Sequence, residues 1–297
     1  MLRKIGLLLI LQMSCMQAIG VTNDQSEAVK SALKNNKWSK AMDLAEDLVD
    51  EFPNNADAHY LFARSIRVKM EAVSQVRAMF SIGDYKKSLS KAIQLNPRHL
   101  DARTEEIGFY VFAPGIAGGD KELAKKKIDA LHLIDPVKGF EMDLLLAESN
   151  QNRVKQIQIT DQLISLKPND PKLKMNKAGL YLNQKNYQKA ELALLDLSNQ
   201  QFGQDWQLAA NYQRAKWRIL AKQDIDLSIE LLTTYKNTIE TVKSEINLPN
   251  KAASLWRLAL AYEIQGKQDV AIDMLKQSVK LDKTFEQAVK DLKRLRQ

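Results

Sequence analysis

The stretch from Ala252 to Lys283 reads AASLWRLALAYEIQGKQDVAIDMLKQSVKLDK, and its spacing leaves few folds open. Leu255, Leu258, Ala259 and Tyr262 recur at i, i+3, i+4 and i+7, the period of one helix face. Gly266 interrupts that stripe, and Ala271, Ile272, Leu275, Ser278 and Val279 form a second. Small residues fall where two such helices would touch, which predicts a tight antiparallel pair. One pair leaves an apolar face uncovered, so a chain built this way must stack several.

Weaker copies fill the rest. In the first, Ala28, Ala32 and Leu33 precede a turn at Asn35-Asn36, and Trp38, Ala41, Leu44, Ala45 and Leu48 follow it. Phe52-Pro53 closes that unit, because proline cannot continue a helix. The second reads as an unusually long first helix from Ala56 through Phe80, a turn at Gly83-Asp84 and a short partner, Tyr85 to Leu95. In the third, Ile107, Gly108 and Val111 are separated from Ala124, Ile128 and Leu131 by a long connection, Ala113 to Asp120, with Asp120 placed to cap the next helix. The fourth, residues 137–170, is degenerate. The fifth recovers the pattern with Ala178, Tyr181, Asn186-Tyr187, Ala190 and Leu194. The sixth uses Tyr212, Ala215, Ile219, Ser228 and Leu232, and its second helix is expected to continue through Ile239 and Val242. Thr284 to Gln297 reads as a lone helix with Phe285, Val289 and Leu292 facing inward.

The seventh copy resembles the tetratricopeptide repeat, a 34-residue helix–turn–helix unit, and the resemblance extends over about residues 24–297. It implies an all-α chain: a right-handed superhelical solenoid of about seven antiparallel helix pairs with a C-terminal capping helix, spanning residues 21–297. The stretch Ala113 to Asp120 is similar to an APG-x-x-GGD loop found in a subgroup of exported bacterial members, to which no chemistry is assigned.

Residues 1–20 stand apart. Arg3 and Lys4 precede the apolar run Ile5 to Leu11, and Ala18-Ile19-Gly20 supplies small residues at cleavage spacing. This reads as a secretory signal peptide, so the mature chain is expected in a bacterial periplasm with no stable membrane insertion. Cys15, the only cysteine, lies inside the signal; Gln12 stands where a lipid-attachment motif wants leucine, so lipid anchoring there is not expected. Without residues 1–20 the charge falls from +8 to +6, as Arg3 and Lys4 are the only charged residues removed. That mild excess, spread along helices, is not a nucleic-acid footprint. Lys125-Lys126-Lys127 reads as a solvated face.

Little points to catalysis. His59, His99 and His132 lack metal-ligand spacing and read as surface or loop residues. Glu105 and Glu106 are adjacent on a helix and point apart, so they make no acid/base pair. Gly115 to Lys121 lacks the ending of a phosphate loop and follows no strand, and no G-x-S-x-G elbow occurs. The expectation is a non-enzymatic chain without cofactor or metal.

In tetratricopeptide proteins the first helices line a concave groove that takes an extended peptide or a partner's helix. The resemblance therefore implies a scaffold that binds a protein or peptide of the cell envelope. First-helix residues left over from the core are Met175, Leu182, Gln213, Trp217, Leu220, Trp256, Leu260 and Glu263. Trp217 and Trp256 fit either packed core or an aromatic binding patch. Two other roles stay open: handling a small ligand beside a transport system, and serving as an accessory subunit in cell-wall metabolism.

Overall fold

The computed structural model describes residues 21, 23–198 and 200–297. The expected signal peptide, Cys15 included, lies outside them. Among the described residues all regular structure is helical, with no strand. Seven consecutive pairs are followed by a single helix: α1 (Asn23–Lys34) with α2 (Trp38–Glu51), α3 (Ala56–Ala72) with α4 (Gln75–Leu95), α5 (Leu100–Phe112) with α6 (Lys121–His132), α7 (Pro136–Ser149) with α8 (Arg153–Leu166), α9 (Pro171–Asn183) with α10 (Tyr187–Leu197), α11 (Gln204–Ala221) with α12 (Ile225–Thr238), α13 (Lys251–Ile264) with α14 (Gln268–Leu281), and then α15 (Glu286–Leu295). The chain divides into two compact units, one ending at Met142 and the other beginning at Asp143.

The turns explain the pairing. In five pairs a left-handed residue follows the first helix, Asn36, Gln151, Lys185, Lys222 and Gly266, and in the α11–α12 connection Asp224 is left-handed as well. The residue after each of the five donates its N–H five positions back: Lys37 to Ala32, Asn152 to Ala147, Asn186 to Tyr181, Gln223 to Arg218 and Lys267 to Tyr262. This satisfies carbonyls that a helix end would otherwise orphan, and it reverses the chain in two residues. A second turn recurs between pairs. Asn55 bonds back to Phe52, His99 to Asn96 and Asp170 to Lys167, each with proline at the second turn position. Asn55, His99 and Asp170 then cap the next helix through their side chains.

In the first unit each helix from α1 to α6 packs on the next, and α1 also touches α3. Val29, Ala45, Leu48, Ala58 and Leu61 form one cluster, and Ala63, Ile66, Tyr85, Leu89, Ala92 and Ala102 another. Alanines at the crossings let backbones approach, and the buried Ser65 hydroxyl donates to the Ala41 carbonyl at 3.1 Å.

The second pair corrects the sequence expectation. The break falls at Val73-Ser74, and Gly83 lies inside α4, so the long helix is the second one. A helical glycine costs about 1 kcal/mol. Packing of Ser81, Tyr85 and Leu89 on either side of Gly83 outweighs that. The connection after α5 is a single 3₁₀ turn, Gly115–Ala117, held by Ala117 and Gly119 N–H groups donating to the Pro114 carbonyl. Gly118 is left-handed, and a Cβ on Gly119 would lie 1.8 Å from the Ala113 oxygen. Asp120 caps α6 as expected, accepting from Glu122 and Leu123.

In the second unit Ala178, Leu194, Leu197, Ala210 and Trp217 form one cluster; Tyr212, Ala215, Leu232, Tyr235 and Leu258 belong to a second; Ala259, Ala271, Leu275 and Ala288 form a third. Ser278 repeats the Ser65 device, donating to the Ala252 carbonyl at 2.8 Å. Two expectations are corrected. Helix α12 ends at Thr238, and Ile239 and Val242 reach the same core from the turn and loop that follow. In α15 the buried residue is Ala288, whereas Val289 is exposed, because the neighbouring helices approach one position earlier.

Candidate functional site

Helices α9 and α11 are first helices of successive pairs in the second unit and touch each other. On α11, Gln213, Lys216, Trp217 and Leu220 recur at helical spacing. On α9, Met175, Gly179 and Leu182 do the same. With Tyr187 at the start of α10 they line a cleft of about 700 Å³. A Cβ at Gly179 would meet nothing within 4 Å, so the cleft is open there. Leu220 is 63 % exposed on its wall, and Met175 and Leu182 are half-buried.

Trp217 belongs to the framework of this cleft. Only 8 % of it is exposed. Its ring stacks on Tyr187 at 5.1 Å and 13°, the Arg218 guanidinium lies 4.3 Å from its centroid, and its Nε1 donates to Glu191 at 3.0 Å. Glu191 also accepts from Arg214 at 2.9 Å and from Arg218 through both oxygens at 2.8 Å. Burial works to raise the Glu191 carboxyl. Hydrogen bonds from Arg218 and Arg214, with their charges, outweigh it and hold the group below its ordinary value.

Of the residues singled out in the sequence, the structure brings together Met175, Leu182, Gln213, Trp217 and Leu220. Trp256, Leu260 and Glu263 stand elsewhere. Helix α15 covers Trp256, whose Nε1 donates to Asp291 at 2.8 Å and whose ring meets Phe285 edge-on at 5.4 Å. Leu260 packs against the cluster shared with α11 and α12. Glu263 accepts both guanidinium bonds of Arg294, at 2.5 and 2.8 Å. Lys216 and Tyr187 were not singled out; Lys216 shares the Gln213–Leu220 stripe, which was its only signal.

The first unit holds a second charged cluster. Glu105 of α5, its side chain 6 % exposed, lies 3.2 Å from Arg67 and 3.5 Å from Arg64, both of α3. Tyr85 donates to it at 3.3 Å. Here burial wins and pushes the Glu105 carboxyl up against the pull of both arginines. Glu106 points away and pairs with Lys127 at 2.8 Å, so the adjacent glutamates do diverge. His99 corrects the expectation of a surface histidine. It is buried; its Nδ1 accepts from Ala102 N–H, so the ring's Nε2–H faces Asp57 at 3.1 Å. Among the described residues no group of three or more His, Cys, Asp or Glu could hold a metal, and no helix is long and apolar enough to cross a membrane.

Residues 252–285 match the family model of the tetratricopeptide repeat. A search of curated proteins found no match. Among solved structures, the C-terminal part of a TPR repeat-containing protein from Cytophaga hutchinsonii is 16% identical, with a TM-score of 0.60 over 90% of this chain and 99% of that one. PilF of Pseudomonas aeruginosa is 13% identical, with a TM-score of 0.46 over 91% and 96%. A chain of the APC/C hetero-tetramer Cut9–Hcn1 is 16% identical, with a TM-score of 0.45; the match covers 93% of this chain and 49% of that chain, so the present chain spans about half its length. Residues 252–285 are thus a tetratricopeptide repeat, and the chain around them has the helical-repeat fold of a tetratricopeptide-repeat protein.

Proposed function

We propose that this chain is a non-enzymatic scaffold of the cell envelope, which holds a partner protein by an extended segment laid in the cleft between α9 and α11. One observation carries the reading: Leu220, Met175 and Leu182 present apolar surface side by side on neighbouring first helices, against a Trp217 locked by Tyr187, Arg218 and Glu191. A wall fixed before binding spares the entropy of ordering it. The carboxylate behind the wall, Glu191, is committed to structure by its arginines. The periplasmic placement rests on the sequence of residues 1–20 and on the likeness of Ala113 to Asp120 to the loop of exported members.

Two measurements test this. Affinity capture from the envelope fraction should recover partners with the native chain that are lost with Met175→Gln plus Leu220→Gln; equal recovery by both sinks the cleft as the site. Alkaline phosphatase fused to the full chain should be active in bacteria, and its activity should vanish when residues 1–20 are removed. Activity that survives that removal sinks the periplasmic reading.

A further inference from the structure

Two apolar tips stand side by side on one edge of the first unit. The connections α1–α2, α3–α4 and α5–α6 all lie on that edge, because successive helices run antiparallel. The first tip is the α3–α4 connection with the opening turns of α4. Val76, Met79 and Phe80 are exposed there together with Ser74, Gln75 and Arg77, so the helix stands clear of its neighbours on almost every side. The second tip is the connection after α5, where Phe112 and Ile116 are exposed. Phe80 is 82 % exposed and Ile116 87 %. Lys86 joins the two tips. Its ammonium lies 5.7 Å from the Phe109 ring and 5.3 Å from that of Tyr110, and a Cβ on Gly118 would stand 3.4 Å from it. Met79 lies about two helical turns before Lys86, on the same face of α4. Apolar surface gathered in this way on an exposed edge marks a place of contact.

The charges around the tips have one sign. Between Ala72 and Gly83 the only charged residue is Arg77, and between Phe112 and Gly119 there is none. Lys34 and Lys37 stand exposed at the α1–α2 turn of the same edge, and among the described residues they and Arg77 meet no carboxylate. The acids beside the tips have partners: Glu71 lies 3.6 Å from Arg67, Asp120 caps α6, and Asp84 lines a pocket with Lys87 and Lys91. On the far edge the α2–α3 connection has the opposite sign. Asp47, Asp50, Glu51 and Asp57 surround it, and no lysine or arginine occurs between Ala41 and Ala63. A rigid partner would need a hollow to match each protruding tip. A lipid surface shapes itself to both, takes their apolar side chains to headgroup depth and, where its headgroups are anionic, takes the flanking cations as well.

We propose that this edge of the first unit docks on a membrane surface containing anionic lipid, with Met79, Phe80, Phe112 and Ile116 among the headgroups and Lys34, Lys37 and Arg77 against the lipid phosphates. The chain lies on the bilayer and does not span it. The acids of the α2–α3 connection then face away from the anionic surface, so the charge distribution sets orientation as well as attachment. The cleft between α9 and α11 takes no part in this docking.

Flotation of the full chain with lipid vesicles tests the proposal. Vesicles of phosphatidylethanolamine with phosphatidylglycerol should carry the chain upward. Vesicles of phosphatidylcholine alone should bind it about ten-fold more weakly, and added salt should release it from the anionic ones. Phe80→Gln plus Ile116→Gln should weaken binding to the anionic vesicles about ten-fold. Both side chains are exposed, so an unchanged thermal melt is expected of that variant. Phe80→Trp gives a second readout that keeps the tip apolar: vesicles with brominated acyl chains should quench its fluorescence beyond that of the native chain. Met175→Gln plus Leu220→Gln should float as the native chain does, which separates this docking from the cleft. Equal flotation of the native chain and Phe80→Gln plus Ile116→Gln overturns the proposal and assigns attachment to residues 1–20 or another face. Equal binding to both kinds of vesicle, or to neither, overturns it as well. So does a dimer of the native chain that dissociates in the double variant, since a second copy then covers the tips.

Discussion

Glu191 and Glu105 are each flanked by two arginines, yet their carboxyls shift in opposite directions. Glu191 accepts well-aligned bonds from Arg214, Arg218 and Trp217, and these outweigh burial. Around Glu105 the arginines stand at 3.2–3.5 Å with both Nε atoms left without hydrogen bonds, and burial wins. The sign of the pH dependence follows from the direction. A depressed carboxyl contributes stability that is full above its unfolded value and lost as pH falls through the folded one. For Glu191 that window lies below the ordinary value of 4.5. Glu191→Gln should therefore destabilise the second unit by about 2–3 kcal/mol at pH 7 and lose less stability on acidification than the native chain. Calorimetric melts from about pH 3 to pH 7 check this; parallel profiles would show that another group carries the acid dependence. For Glu105 the sign is reversed, so its contribution weakens as pH rises above 4.5.

At the scale of the element, the recurrent helix–helix turn carries the fold, and four of its five left-handed positions are not glycine: Asn36, Gln151, Lys185 and Lys222. An L side chain there costs roughly 1–2 kcal/mol, less for asparagine. Gly266 avoids that cost in the copy that matches the family model. Gln151→Gly, Lys185→Gly and Lys222→Gly should each stabilise the chain by about 0.5–1 kcal/mol, after the larger entropy that glycine loses on folding. Gly266→Ala should destabilise it by a similar amount. Urea melts compare the four, and unchanged midpoints in the glycine variants would mean that the strain is relieved elsewhere. The same turn set what the sequence could reveal. Asn36 and Gly266 were readable because asparagine and glycine favour the left-handed state. Lys222 was not, because nothing in lysine announces it. The break at Val73-Ser74 was hidden for a related reason. Gly83 looked like the stop, and only the burial of Ser81 and Tyr85 beside it shows why the helix continues.

At the scale of the whole molecule, stability within each unit is a chain of neighbour contacts, because α1 to α6 in the first unit and α8 to α15 in the second each pack mainly on adjacent helices. Helix α15 ends that series in the second unit, with Phe285, Leu292 and Leu295 packed on the cluster of Ala259, Ala271 and Leu275. A chain ending at Asp282 should lose about 2–4 kcal/mol of local stability, the burial of those side chains less the ordering of one helix. Hydrogen exchange should quicken in α13 and α14 and stay unchanged in α9 and α10. Uniform quickening across the unit would show tighter coupling than neighbour packing provides.

The periodicity of Leu255, Leu258, Ala259 and their counterparts was enough to determine an all-helical chain of seven pairs and a terminal helix, because an amphipathic stripe has only one partner geometry that buries it with such small contact residues. It also placed Met175, Gln213, Trp217 and Leu220 on neighbouring first helices. What it left undecided was which leftover residues remain open, since that depends on what other segments cover. The tertiary structure decided it: α15 folds over Trp256 and takes Glu263, whereas α9 and α11 leave Leu220 and Lys216 facing a cleft. A helix's spacing assigns residues to a face, but only the packed neighbours determine whether that face meets protein or water.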